Sequence, residues 1–246
     1  MYSSQLHYIP LALPFFLILA GLLLFLVVLI QIQALRYAYA ALGLSATVAL
    51  LLLFASLIGS YFNIPIAHLP EEKVISGQII EVFGIRYIVP VVADWPGTVI
   101  AINVGGAVIP ALLSLYLLVR NQIWVSAAIA TFCVALASYL LATPVPGMGI
   151  AIPVIAPPLI TAVVALLISR TSVPAVAYVS GSLGTLIGAD LLNLGKIQGL
   201  GAPIASIGGA GTFDGIFLTG IVAVLLASLS VRTSTIRRLR DRTSSG

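Results

Sequence analysis

The 246-residue chain has one cysteine, two histidines and only 7% charged residues, and each scarcity removes a class of protein. With Cys133 alone there is no internal disulfide and no cysteine metal cluster, and the redox compartment is left open. His7 and His68 both fall outside the long apolar runs, without the spacing or companions of a zinc site. No histidine is placed to activate a serine within an apolar run, and no G-x-S-x-G elbow occurs. The absence of a G-x-x-x-x-G-K-[ST] run disfavours a nucleotide phosphate loop. A soluble domain carries about a quarter charged residues, so this composition does not describe one. The net charge is +4, yet the basic residues mostly lie singly between apolar runs rather than on a face interleaved with aromatics. Nucleic acid is therefore not an expected partner.

What the chain has instead is apolar sequence: 61% hydrophobic residues and a mean hydropathy of +1.19. Its expected surroundings are the lipid bilayer. A helix needs about 20 apolar residues to cross the hydrocarbon core, and seven segments qualify: 9–33, 39–61, 97–119, 123–142, 153–169, 173–191 and 213–231. The first is too long for a signal-peptide core and has no basic residue before it, so it is expected to be retained as a helix. Pro153, Pro157 and Pro158 crowd the start of the fifth and shortest, which makes a kinked or partly re-entrant entry compatible with it. The fold class expected is all-α, one polytopic membrane domain over residues 1–246.

Lys and Arg set the orientation. With the N-terminus outside, Arg36, Arg120, Arg170, Arg232, Arg237, Arg238, Arg240 and Arg242 are cytoplasmic, and Lys73, Arg86 and Lys196 are outside. The tail 232–246 is then a basic cytoplasmic segment of a multi-pass cell-membrane protein. The same orientation puts Glu71, Glu72, Glu81, Asp94, Asp190 and Asp214 outside and Asp241 inside, a segregation that the basic residues alone do not require. Between Asn63 and Pro96, two β-rich stretches around Phe83-Gly84 predict a small extracytoplasmic hairpin, acting either as a lid over helix ends or as a gate or docking flap. The third, fifth and seventh spans end alike, in LLSLYLLVR, VVALLISR and VLLASLSVR. Any outside-to-inside helix obeying the positive-inside rule tends to end this way.

Three candidate carboxylates, Asp94, Asp190 and Asp214, gather at the outer helix ends, with further candidates deeper in the spans. Asn103, Gly105, Gly106 and Pro110 are expected near the middle of the third span, where the proline removes a backbone hydrogen bond and the glycines loosen the turn before it. A broken helix there would offer carbonyls to a ligand; alternatively the glycines allow close helix contact while Asn103 bonds a neighbouring helix. Gly181, Gly184 and Gly188 form a small-residue stripe on the sixth span, followed near its outer end by Asp190 and then Asn193. In the connector beyond, Gly208, Gly209 and Gly211 let the backbone pass close to something, and their amides or carbonyls suit an ion. Asp214 starts the seventh helix, where capping and the helix dipole already favour an aspartate. Asp94 is expected to start the third helix at the same level. Carboxylates facing one another there would share a proton, coordinate a hard cation, or carry protons in coupled transport.

The runs INVGGAVIPALLSLYLL, PVPGMGIAIPVIAPP, VSGSLGTLIGADLLNL and GAPIASIGGAGTFDGIFLTGI resemble the prokaryotic membrane proteins grouped as domain of unknown function 1614, over about Asn63 to Ala227. That resemblance implies a polytopic membrane protein and carries no activity, cofactor or metal with it. A more distant likeness is to the presenilin-like and prepilin-type intramembrane aspartyl proteases, which use one aspartate on each of two neighbouring helices, the second within Gly-x-Gly-Asp. Here Thr212 and Phe213 separate Gly211 from Asp214, and no Pro-Ala-Leu run follows. The expected function is an outward acidic site that binds or transports a small cation or solute. Asp190 and Asp214 would contact the ligand or its coupling proton, Asp94 would assist, and Asn103 with the nearby glycines would form the inner end of the path. Asn193 and the backbone loop at Gly208, Gly209 and Gly211 are further ligand-binding candidates. The alternatives are an embedded aspartyl hydrolase with Asp190 and Asp214 as its dyad, and a noncatalytic membrane scaffold.

Overall fold

The structure is a computed structural model that describes residues 32–70, 72–82, 85–95, 97–146, 149–198, 200–209 and 219–228, with 72–82 and 85–95 described as backbone. The expected first span lies almost wholly outside these residues, as do Gly211, Asp214 and the basic tail. Seven helices and three small sheets are described.

Helix α1 (Ile32–Ala41) and α2 (Ala46–Gly59) meet at 115°, so the expected continuous span 39–61 is bent. The cause is local: Gly43 adopts a φ of 75°, and Ser45 then caps α2 by accepting a hydrogen bond from the Val48 N–H at 3.4 Å. Strand β1 (Asn63–His68) leads to β2 (Glu72–Val82) and β3 (Ile85–Trp95), which pair antiparallel from Glu72↔Trp95 to Val82↔Ile85 as the expected hairpin. The third helix does not begin at 97. Val99–Asn103 forms β4, and helix α3 follows as Val104–Asn121, its first turn a π-turn at Val104–Val108. Strand geometry wins there because both edges of β4 find partners: β1 antiparallel on one side, and β7 (Ile204–Ile207) parallel on the other. The expected mid-membrane break at Asn103 is therefore corrected to a strand-to-helix junction at the head of α3, with Pro110 in the first turn of its regular portion.

Helix α4 (Trp124–Leu141) runs into a short hairpin of β5 (Thr143–Val145) and β6 (Gly149–Ala151). Helix α5 (Ala156–Ile168) starts with Pro157 and Pro158, where the missing N–H groups cost no helical bond. Helix α6 starts as Val173–Thr185 and passes through a π-turn at Leu186–Asp190 into a 3-10 segment at Leu191–Lys196. Helix α7 is described over Thr219–Ser228. Among the described residues three helices are long and apolar enough to cross a membrane (Val104–Asn121, Trp124–Leu141 and Val173–Lys196), and the bent α1–α2 pair makes four if it counts as one span.

Tyr39, Tyr178, Leu117 and Val176 are buried as in a soluble core, but much of the remaining packing is not of that kind. Large apolar side chains such as Leu51, Phe54, Leu140 and Leu167 are exposed, while Ala127, Ala130, Ala165, Ala177, Ala223 and Ala227 are buried. Lipid supplies no hydrophobic force between helices, so small residues that allow close backbone approach do the packing. Helix α6 is the central helix, packed against α3, α4 and α5. At Gly188 an added Cβ would overlap the Ala135 carbonyl of α4, so the glycine stripe sets the distance between these two helices. One turn further along α4, Lys196 Nζ lies 4.4 Å from the centroid of the Tyr139 ring, a cation–π contact that ties the last turn of α6 to α4.

Candidate functional site

The polar residues collect where the β1–β4–β7 sheet hands over to the helices. Asn103 ends β4 and caps the π-turn: its Oδ1 accepts from the Gly106 N–H at 2.8 Å. Its Nδ2 donates to Ser60 O at 2.7 Å and to Asn63 Oδ1 at 3.1 Å. Asn103 is fully buried, and its amide group thus joins the C-terminal end of α2, the first residue of β1 and the head of α3. This arrangement matches the interhelical bonding role among the sequence alternatives. Ser56 adds a second tie, its Oγ donating to Gly105 O at 2.7 Å. Gly105 has no room for a side chain, since an added Cβ would overlap Ser56 O of α2.

Strand β7 brings the glycine loop against this junction. Ser206 Oγ lies 2.6 Å from both Asn63 Oδ1 and Gly209 O and donates its one proton between them. Upstream, Thr98 Oγ1 donates to Ala202 O at 2.7 Å, locking the entries of β4 and β7 together. Gly208 has a φ of 92°, and a Cβ there would stand 2.7 Å from Ala107 N. Its N–H donates to Asp190 Oδ2 at 2.7 Å. Asp190 ends the π-turn of α6, so one carboxylate holds the broken end of α6 to the turn after β7. Asn193, fully buried three residues on, donates from Nδ2 to Gly188 O at 2.9 Å and Ala189 O at 3.0 Å. Both carbonyls lie in the π-turn at Leu186–Asp190, so Asn193 braces the irregular part of α6. Its Oδ1 has no hydrogen-bond partner among the described residues.

The candidates thus divide. Asp190, Gly208 and Gly209 lie in one bonded cluster, which Ser206 links to Asn63 and Asn103. Asn193 is adjacent to it on α6. Asp94 is not at a helix start: it lies in β3, opposite Lys73 in the β2–β3 register. Asp214 and Gly211 are outside the described residues. Among the described residues no group of three His, Cys, Asp or Glu side chains is placed to hold a metal ion.

A family model described as "Protein of unknown function (DUF1614)" matches residues 57–226. The chain belongs to this family. The DUF1614 match takes in the whole junction, from α2's last turn through β4, α6 and β7 into α7. No curated protein and no solved structure matches the chain, and no comparison connects it with aspartyl proteases.

Two members of the cluster, Asn63 and Ser206, escape the sequence-based selection of site residues. A signal for Ser206 was present: Ile102-Asn103-Val104-Gly105-Gly106-Ala107 and Ala205-Ser206-Ile207-Gly208-Gly209-Ala210 share one pattern, which puts Asn103 and Ser206 in the same slot before a Gly-Gly pair. Asn63 carries no such local mark, because its role comes from the β1–β4 register that sets it opposite Asn103.

Proposed function

We propose that this DUF1614 protein is a seven-span protein of the cell membrane, N-terminus and β2–β3 hairpin outside, with an outward-facing site at the sheet–helix junction that binds or moves a small cation or solute. One observation carries the reading. Asp190 is half-buried, holds the Gly208 N–H, and has no basic partner among the described residues. A carboxylate removed from water in this way calls for a compensating positive charge, and Lys196, close by in sequence, is occupied with Tyr139. Asn63 Oδ1, Ser206 Oγ and Gly209 O add oxygen acceptors in the same cluster, the donor type that hard cations prefer. Asp214, which precedes α7 in sequence, is the second carboxylate of this proposal, and Asn193 Oδ1 supplies a further buried acceptor.

The test is a thermal-shift screen of the full chain in detergent against alkali and alkaline-earth ions, small solutes and aspartyl-protease inhibitors. A stabilising ion or solute whose effect is absent in Asp190→Asn supports the site, since a ligand that binds only the folded state raises the melting temperature. Stabilisation by a transition-state-analogue inhibitor alone, lost in both Asp190→Asn and Asp214→Asn, would overturn it in favour of a hydrolase.

A further inference from the structure

Away from the outer junction, a crevice of about 490 Å³ opens between the α1–α2 bend and α3. Val48 and Leu52 of α2 and Leu112 and Tyr116 of α3 form its walls, and Gly43 and Arg120 line one end. Along α3 the lining runs from Ile109 to Arg120, about 16 Å at about 1.5 Å per residue. That is close to one leaflet of a hydrocarbon core about 30 Å thick. Arg120 is exposed, and its Nη1 donates to Gly43 O at 3.0 Å and Tyr116 OH at 2.8 Å. These bonds hold the guanidinium over the bend and leave its remaining N–H groups to a ligand. No carboxylate lies within ion-pair distance of it among the described residues.

We propose that this crevice is a binding site for an anionic glycerophospholipid, with one acyl chain between α2 and α3 and the phosphate on Arg120. The match is of charge and of length together. A cation without a counter-ion among the described residues stands at the end of an apolar slot one leaflet long, and planar Arg donors suit phosphate oxygens. Basic residues at this depth attract anionic headgroups, and an acyl chain fills apolar space that the described residues leave open.

The full-length protein in nonionic detergent would be titrated with dioleoyl phosphatidylglycerol, dioleoyl phosphatidylcholine and inorganic phosphate, with bound species resolved by native mass spectrometry. Phosphatidylglycerol is expected to bind about five-fold more tightly than phosphatidylcholine, the worth of one interfacial arginine. Arg120→Gln should bring the two lipids to parity, and Arg170→Gln, on a different helix end, should leave the preference intact. Because Arg120 also ties α3 to Gly43, Val48→Trp provides an independent arm: it fills the slot without touching the guanidinium and should weaken both lipids. Parity in the wild type, a preference that survives Arg120→Gln or vanishes equally in Arg170→Gln, or full lipid binding in Val48→Trp would overturn the proposal. So would displacement of phosphatidylglycerol by inorganic phosphate, which would make this a site for the bare anion.

Discussion

Replacing Asn103 with leucine tests the junction most directly, because the two side chains are close in volume and the change removes hydrogen bonds rather than packing. Three bonds are lost: to Ser60 O, to Asn63 Oδ1 and from the Gly106 N–H. Asn63 is exposed, so water replaces its share. Ser60 and Gly106 are buried, and a buried group left without its partner costs about 1–3 kcal/mol, whereas hydrogen bonds between membrane helices average about 0.6 kcal/mol. Two stranded groups at a boundary between the two environments therefore cost about 2–4 kcal/mol. Reversible unfolding in mixed micelles of a nonionic detergent and dodecyl sulfate reads this directly. Asn103→Asp separates the contributions: it keeps an acceptor for Gly106 but faces Ser60 O with a second oxygen, and it should be at least as unstable as the leucine variant. A loss below about 0.5 kcal/mol for Asn103→Leu, accompanied by loss of ligand response, would refute the joining role and make Asn103 a ligand contact instead.

Three further outcomes follow from the same junction and from the proposed orientation. Asp190→Ala strands the Gly208 N–H and should cost about 1–3 kcal/mol, while Asp190→Asn retains an acceptor and should stay within about 1 kcal/mol of wild type; equal losses in the same unfolding assay would remove the Gly208 bond from the account. Gly208→Ala puts a side chain at a φ of 92° and a Cβ 2.7 Å from Ala107 N, so it should cost at least about 2 kcal/mol, and an unchanged midpoint would show that the close approach of β7's turn to α3 is dispensable. In a Cys133→Ser background, Ser76→Cys should react with an impermeant thiol reagent on intact cells and Ser244→Cys should not. Labelling at 244 would invert the orientation.

The helices at 104–121, 124–141 and 173–196 were legible from hydropathy because span length and composition are local properties; the bend between α1 and α2 and the trimming of α5 to Ala156–Ile168 were not. The sheet was less so. Residues 99–103 continue an apolar run, and their pattern alone does not separate a strand from the first turns of a helix. What decides is the pairing with 63–68 and 204–207, contacts made far along the chain. The β2–β3 hairpin was readable because its turn and its β-branched runs are contiguous in sequence. Asp94 was misplaced for the first reason: starting α3 at 97 made it look like a helix-capping residue, whereas β4 delays the helix until Val104. Asp190 and the 208–209 turn were found separately, as an outer carboxylate and a loop that passes close to something. That each is the other's partner depends on the parallel β4–β7 pairing, which has no short-range signature.

Strand β1 is exposed along its whole length, and irregular backbone in a membrane protein is tolerated where water or protein can satisfy it. Both are consistent with the proposed orientation, which puts the β1–β4–β7 sheet at the aqueous boundary, with β4 and β7 each turning through a Gly-Gly pair as the chain leaves the sheet. Asn103 and Ser206, in equivalent slots, bond Asn63 without any charge. Bonding the Gly208 N–H needs only a neutral acceptor of the same kind, and asparagine or serine would serve. Asp190 brings a charge to a half-buried position where that task does not require one. Its desolvation is a cost that a purely structural residue avoids, and a cation held between Asp190 and the neighbouring oxygens would offset it. The charge, more than the bond it makes, separates a binding site from a well-braced junction.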